Sequence, residues 1–191
     1  GRETIQGKLE AVFTRMLQSE REDFSGRADV IAAGRTDAGV HARAMVANVK
    51  LSTDKSPEEL LEYANTYLPE DISVNRVSVA SDRFHARYNA KAKIYRYTLW
   101  CGVSKPVFDR KYVYRLEKRP ELSAMREAAG FLLGEHDFMS FCSNPKMKKT
   151  TVRTIDRIDI MEKSSYLTFT HHGNGFLQHM VRIITGTLLE V

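Results

Sequence analysis

Cysteine is scarce in this chain: only Cys101 and Cys142 occur, and they form no Cys-x-x-Cys pair. That excludes a disulfide framework and a structural zinc set, and it suits a protein of the reducing cytoplasm. Long apolar runs are missing too. None approaches the roughly 20 residues needed to cross a bilayer, and the amino end lacks a secretory pattern, so no membrane partner is expected. There is no low-complexity tract and no internal repeat. Acidic residues are locally depleted: residues 83–119 hold eleven Lys and Arg against only Asp109 and Glu117. This stretch carries +9 in a chain of net charge +5, so the remainder is −4.

What is present fits a folded protein of 191 residues, 42% hydrophobic and 28% charged, as one domain or two small ones. The basic stretch is threaded with Phe84, Tyr88, Tyr95, Tyr97, Trp100, Phe108, Tyr112 and Tyr114. Cations interleaved with aromatics suit a phosphate backbone and stacked bases, so a nucleic-acid face is expected here. A solvated strand face with core aromatics behind it would give the same composition.

The most informative stretch is Gly34-Arg35-Thr36-Asp37-Ala38-Gly39-Val40-His41-Ala42. It follows an apolar run from Ala28 to Ala33 and precedes an alternating segment from Arg43 to Leu51, both expected as strands. Its glycines permit a tight loop, and Asp37 falls at the tip. Thr36 and Asp37 could simply bond their own backbone. A phosphate loop is excluded: Val40-His41 stands where Lys and Ser/Thr must follow, and a strand rather than a helix comes next.

Along the chain, a helix is expected before Ser19, with Ile5, Leu9, Val12, Phe13, Met16 and Leu17 on its apolar face. Ser56-Pro57-Glu58-Glu59 signals a capped helix start, and Pro69 its end. Ile72, Val74, Val77 and Val79 predict a bulged strand. Residues 91–100 predict a strand with Tyr95, Tyr97 and Leu99 on one side and Ile94, Arg96 and Trp100 on the other. Residues 123–133 predict a helix stopped by Gly134, then a long loop from Glu135 that becomes basic at Lys146, Lys148 and Lys149. His136 and Asp137 lack further partners at ligand spacing, so no metal site is read there. A hairpin about Lys163-Ser164-Ser165 precedes a last apolar helix, in which Arg182 needs a partner, Gln178 or Glu190 among the candidates, or an exit to solvent.

The Gly34–Ala42 stretch resembles the signature of the tRNA pseudouridine synthase A (TruA) family, and three further stretches resemble family motifs in order. These are Phe84-His85-Ala86-Arg87 followed by Tyr88, the Tyr95-Arg96-Tyr97 strand, and Asn174-Gly175-Phe176-Leu177-Gln178-His179-Met180-Val181-Arg182. The resemblance implies an α+β pseudouridine synthase fold: a mainly antiparallel central sheet flanked by helices, in two similar halves with a cleft between them. The halves would be residues 1–83, carrying the aspartate loop and lacking the family's first strand, and 84–191, carrying the tyrosine strand and the arginine helix and lacking the family's closing segment.

The implied activity is isomerisation of uridine to pseudouridine in the anticodon arm of tRNA, at positions 38 to 40. Asp37 would be catalytic, Tyr95 would stack on the uracil, and Arg182 would pair with Asp37. Arg35, Arg87, Lys93 and Arg96 would bind RNA. His85 reads equally as a structural histidine. No cofactor and no metal is required, and a homodimer is expected from the resemblance. The competing reading is a catalytically silent RNA-binding module, truncated at both ends relative to the family.

Overall fold

In the computed structural model, residues 3–144 and 146–191 are described, and the chain divides into two compact units, one ending at Ala90 and one starting at Lys91.

The first unit opens with α1 (Ile5–Glu20), whose N-cap Thr4 accepts a hydrogen bond from the Gly7 N–H. Its buried face carries Val12, Phe13, Met16 and Leu17, as the spacing predicts, but Ile5 is exposed and Glu10 is buried instead. Burial of that carboxylate is offset by Gln6, the Val30 N–H and Arg27, which all donate to it. The Gln6 bond foremost, with help from the other two, holds its pKa below the usual carboxylate value against the opposing effect of burial.

Two short antiparallel strands follow, β1 (Val30–Ala32) and β2 (Ala47–Val49), with Val30 opposite Val49 and Ala32 opposite Ala47. The second strand is shorter than the alternation from Arg43 to Leu51 predicts. Helix α2 (Pro57–Tyr67) starts with the expected capping box: the Ser56 side chain accepts from the Glu59 N–H, and Glu59 accepts from the Ser56 N–H. α1, α2 and β1 enclose one core.

The strand predicted over residues 72–79 does not form. Ile72 and Val74 pack against the core, and the Asn65 side chain exchanges two 2.8 Å hydrogen bonds with the Val74 backbone. The apolar spacing is therefore that of an extended segment satisfied by a helix side chain rather than by a neighbouring strand.

The second unit is built on β3 (Lys93–Trp100), β4 (Tyr114–Arg115), α3 (Leu122–Gly130), β5 (Gly134–Asp137), β6 (Val152–Lys163), β7 (Tyr166–Gly173) and α4 (Met180–Leu189). The sheet order is β4-β3-β7-β6-β5, antiparallel except for the short β3–β4 pairing. Alternation on β3 and β7 sends Leu99, Leu167 and Phe169 to one face, where they pack with Met125 of α3 and Met180, Ile184 and Leu188 of α4. Gly134, expected as the helix stop, and Glu135 to Asp137, expected as the start of a loop, instead form an edge strand paired with residues 152–155 of β6. Here His136 contacts the Leu133 carbonyl through Nε2, and Asp137 accepts from Thr151 and from the Met139 N–H. Both are structural partners at a strand end.

This is an α+β fold with mixed, mainly antiparallel sheets, as expected. Among the described residues no helix is long and apolar enough to cross a membrane.

Candidate active site

The loop that bears Asp37 is tied off at its base. Beyond the β1–β2 register, the Ala33 N–H donates to the Val46 carbonyl at 2.8 Å, so the intervening residues must leave the ladder and return within a short span. The reversal is closed by the Val40 N–H donating to the Asp37 carbonyl at 3.1 Å. Gly39 adopts φ +78°, the left-handed region that favours glycine. Asp37 is consequently an exposed carboxylate near a rigid base, with Arg35 and His41 also exposed. Exposure leaves the carboxylate accessible to a bulky substrate, as chemistry on a macromolecule requires.

The Phe84–Asn89 turn is fixed to the same strand. Ala86 is buried, and its N–H donates to the Asn48 side chain of β2 at 2.8 Å. The Asn89 side chain accepts from the His85 N–H at 2.7 Å, while the Tyr88 and Asn89 N–H groups converge on the His85 carbonyl. His85 Nδ1 also accepts from the Tyr88 N–H at 3.3 Å, and the two rings lie 4.1 Å apart. These bonds account for His85 as a residue that shapes the turn. Arg87 projects from it exposed. The aspartate loop and the Arg87 turn are thus both anchored on β2.

In the second unit Tyr95 lies half-buried on β3, opposite His171 of β7, with its ring meeting the Phe176 ring edge-on at 5.1 Å. That contact joins the tyrosine strand to the Asn174–Arg182 stretch. Asn174 hooks this stretch to β6: its side chain accepts from the Thr154 N–H at 3.1 Å and donates to the Thr154 hydroxyl, and its own N–H donates to the Thr154 carbonyl. Gly173 is needed for this approach, because a Cβ there would lie 2.5 Å from the Thr154 carbonyl oxygen. The chain then turns through His179, at φ +59°, into α4.

Met180, Val181, Ile184, Thr185 and Leu188 face inward from α4, and Arg182 is exposed. Of the two expected ways to accommodate this arginine in an apolar helix, exit to solvent is the one adopted. Lys93 shares the Tyr95 side of β3, whereas Arg96 is exposed on the opposite side with Ile94. Arg96 therefore belongs to a different surface from Tyr95.

Three contributors escaped the sequence reading. Phe176 is the ring against Tyr95, Asn48 is the anchor of the Arg87 turn, and His171 is a fully buried imidazole paired across from Tyr95 on β7. Asn48 had a legible signal, as a polar residue among apolar ones in a short strand. His171 had another: two successive histidines in an alternating strand send one to each face. Among the described residues no group of three or more His, Cys, Asp or Glu is placed to hold a metal ion.

A sequence model of the tRNA pseudouridine synthase family matches residues 1–89 and 128–191, so Tyr95 falls between the matched stretches. A tRNA pseudouridine synthase A of Bacillus sp. (strain KSM-64) is 45% identical over 191 residues, all of this chain and 75% of that protein. A tRNA pseudouridine synthase A 2 of Bacillus anthracis is 42% identical over 188 residues, 98% of this chain and 74% of its own length. A tRNA pseudouridine synthase A 1 of Clostridium tetani is 43% identical with the same coverage. With the signature loop on its ladder and two matched stretches covering most of its length, the chain belongs to the tRNA pseudouridine synthase family.

Proposed function

We propose that this pseudouridine synthase isomerises uridine to pseudouridine in the anticodon stem-loop of tRNA, at positions 38 to 40, with Asp37 as the catalytic carboxylate. The observation that carries the reading is Asp37 itself: an exposed carboxylate in a glycine-bounded loop anchored on β2, within the nine-residue signature Gly34–Ala42.

The target base is stacked in the RNA and must be flipped out before any group can reach it. Arg35, two residues from Asp37, would occupy the vacated space or hold the displaced backbone. The C1′–N1 glycosidic bond breaks, the uracil rotates, and C5 bonds to C1′. The C5 proton then leaves, and the N1 position gains one. The reaction is redox-neutral and consumes no water overall, so the chemistry asks for a carboxylate and a held base rather than for an external co-reactant. Asp37 serves either as nucleophile toward the nucleoside or as the base that removes a sugar proton. Tyr95, with its ring set by Phe176, is suited to stack on the free uracil. Arg182, a cation exposed on α4, is the third proposed catalytic residue, the partner that the family resemblance gives to Asp37.

Arg87 and Lys93 would hold phosphates near the reacting nucleotide, and Arg96 would meet RNA that follows the other surface of β3. A cytoplasmic homodimer completes the reading; the free thiols of Cys101 and Cys142 agree with the compartment.

The test is tritium release from tRNA carrying 5-³H-uridine. Release from substrates with uridine at 38 to 40, lost when those positions are changed to cytidine, is the expected result. Tight tRNA binding with no release would mean a silent binding module.

A further inference from the structure

The connection from β3 to β4 makes a second feature that the proposed chemistry does not use. After Trp100, whose indole N–H donates to the Ser104 carbonyl at 2.6 Å, the chain folds around an open depression of about 420 Å³. Lys105, Arg110 and Arg115 line it together with Val107, Val113 and Tyr114. Among the described residues that line it, none is acidic.

Two of the three cations are held in place by backbone. Arg110 donates to the Val107 carbonyl at 2.9 Å and Arg115 to the Val103 carbonyl at 3.4 Å. Each guanidinium carries five N–H donors, so one such bond fixes the group and leaves others to point at an anion. The nearby Asp109 is not among the residues that line the depression, and it accepts from the Tyr166 hydroxyl. Beside the cations stand large apolar groups in water: Tyr114 is exposed on β4, and Phe108 is 95% exposed. A fixed cationic fork next to exposed aromatic faces fits a nucleotide, with phosphate on the fork and base or ribose on the apolar wall.

The depression is remote from Tyr95. β3 continues five residues from Tyr95 to Trp100, roughly 17 Å at about 3.3 Å per residue, before the connection begins. A separation of that size spans several nucleotides of a helical strand.

We propose that the β3–β4 depression is a second RNA subsite, which takes a backbone phosphate and an accessible nucleotide of the same tRNA at least several nucleotide steps from the target uridine. This rests on the reading of the chain as a tRNA-binding enzyme. It assigns to Lys105, Arg110, Arg115 and Tyr114 a role in gripping the tRNA body and none in chemistry.

The test compares full-length tRNA with a short hairpin containing only the anticodon loop and two or three closing pairs, using fluorescence anisotropy over a range of salt. Lys105→Gln with Arg115→Gln, and separately Tyr114→Ala, should raise the Kd for full-length tRNA roughly tenfold while leaving the hairpin Kd and kcat unchanged. The log–log salt slope for full-length tRNA should flatten by about 0.7–0.9 for each phosphate that is no longer neutralised. Lys105→Gln alone should show a smaller effect in the same direction, and since the Lys105 side chain makes no hydrogen bond among the described residues, the change does not disturb the loop. Equal losses on both RNAs, or no loss on either, would overturn the subsite while the parent still binds and turns over tRNA. So would unchanged RNA binding accompanied by loss of self-association in Phe108→Ser, which would make the surface a contact between copies. A parent that neither binds nor modifies tRNA would overturn the functional reading as well, and the two failures are thereby distinguished.

Discussion

The imidazole of His171 is fully buried, stacked beside Phe169 and in contact with the Thr185 hydroxyl at 3.3 Å, while its Nδ1 has no hydrogen-bond partner among the described residues. Burial disfavours the charged ring and lowers its pKa from 6.5 to about 4. An unfolded chain binds this proton near pH 6.5, whereas the folded one does not until about pH 4. The stability that follows is therefore fully present above pH 6.5 and is lost as pH falls toward 4, an amount of roughly 3 kcal/mol. Urea titrations of the parent and of His171→Leu across that window should show a steep acid loss in the parent and a flatter one in the variant. Parallel pH curves would mean that His171 is solvated. Tyr95 offers a second residue-level test. Tyr95→Phe should retain RNA binding, since the stacking face is worth about 1–3 kcal/mol, and Tyr95→Leu should weaken it. Equal, full activity in both would return Tyr95 to the sheet. The orientation of Tyr95 was readable from strand alternation, but its Phe176 neighbour was not, because the two meet only through the Asn174 hook and the turn before α4. Glu10 was equally hidden: nothing in its helical position announces that Gln6, Arg27 and the Val30 N–H converge on it.

Elements whose signals are local were legible, and elements defined by a partner were not. The Ser56 capping box and the β6–β7 hairpin about Ser164-Ser165 form as their residues predict, since each is specified within a few positions. Residues 72–79 have strand-like spacing, but a strand needs a neighbour, and Asn65 supplies the bonds instead. The reverse holds at residues 134–137, where polar Glu135-His136-Asp137 reads as loop yet pairs with β6, because an edge strand need not bury side chains. The Asp37 loop was legible as a loop from its glycines, while the attachment of the Arg87 turn to β2 depends on the long-range Asn48 contact. Asn48→Ala should leave the Ala86 N–H without its acceptor, costing about 1 kcal/mol. Amide exchange at Ala86 should accelerate several-fold without global unfolding. Exchange as slow as in the parent would show that the turn does not depend on β2.

At the scale of the whole chain, the charge distribution sets the binding behaviour. A net +9 over residues 83–119 against −4 elsewhere concentrates counterion release in one part of the sequence. Affinity for tRNA should fall steeply with salt, and charge-removing changes at exposed Lys111 and Lys118 together should flatten the slope; an unaltered slope would place the RNA elsewhere, for instance along Lys146–Lys149. Family and fold class were accessible from motif order alone, since four motifs spread across the chain constrain the whole even where single elements are misread. The central claim is that one carboxylate carries the reaction, and Asp37→Asn tests it most directly because it keeps the side-chain shape and removes the charge. Tritium release from 5-³H-uridine tRNA should drop by roughly 10²–10⁴-fold or more, with tRNA affinity and thermal stability close to those of the parent. Release within a few-fold of the parent would contradict the account.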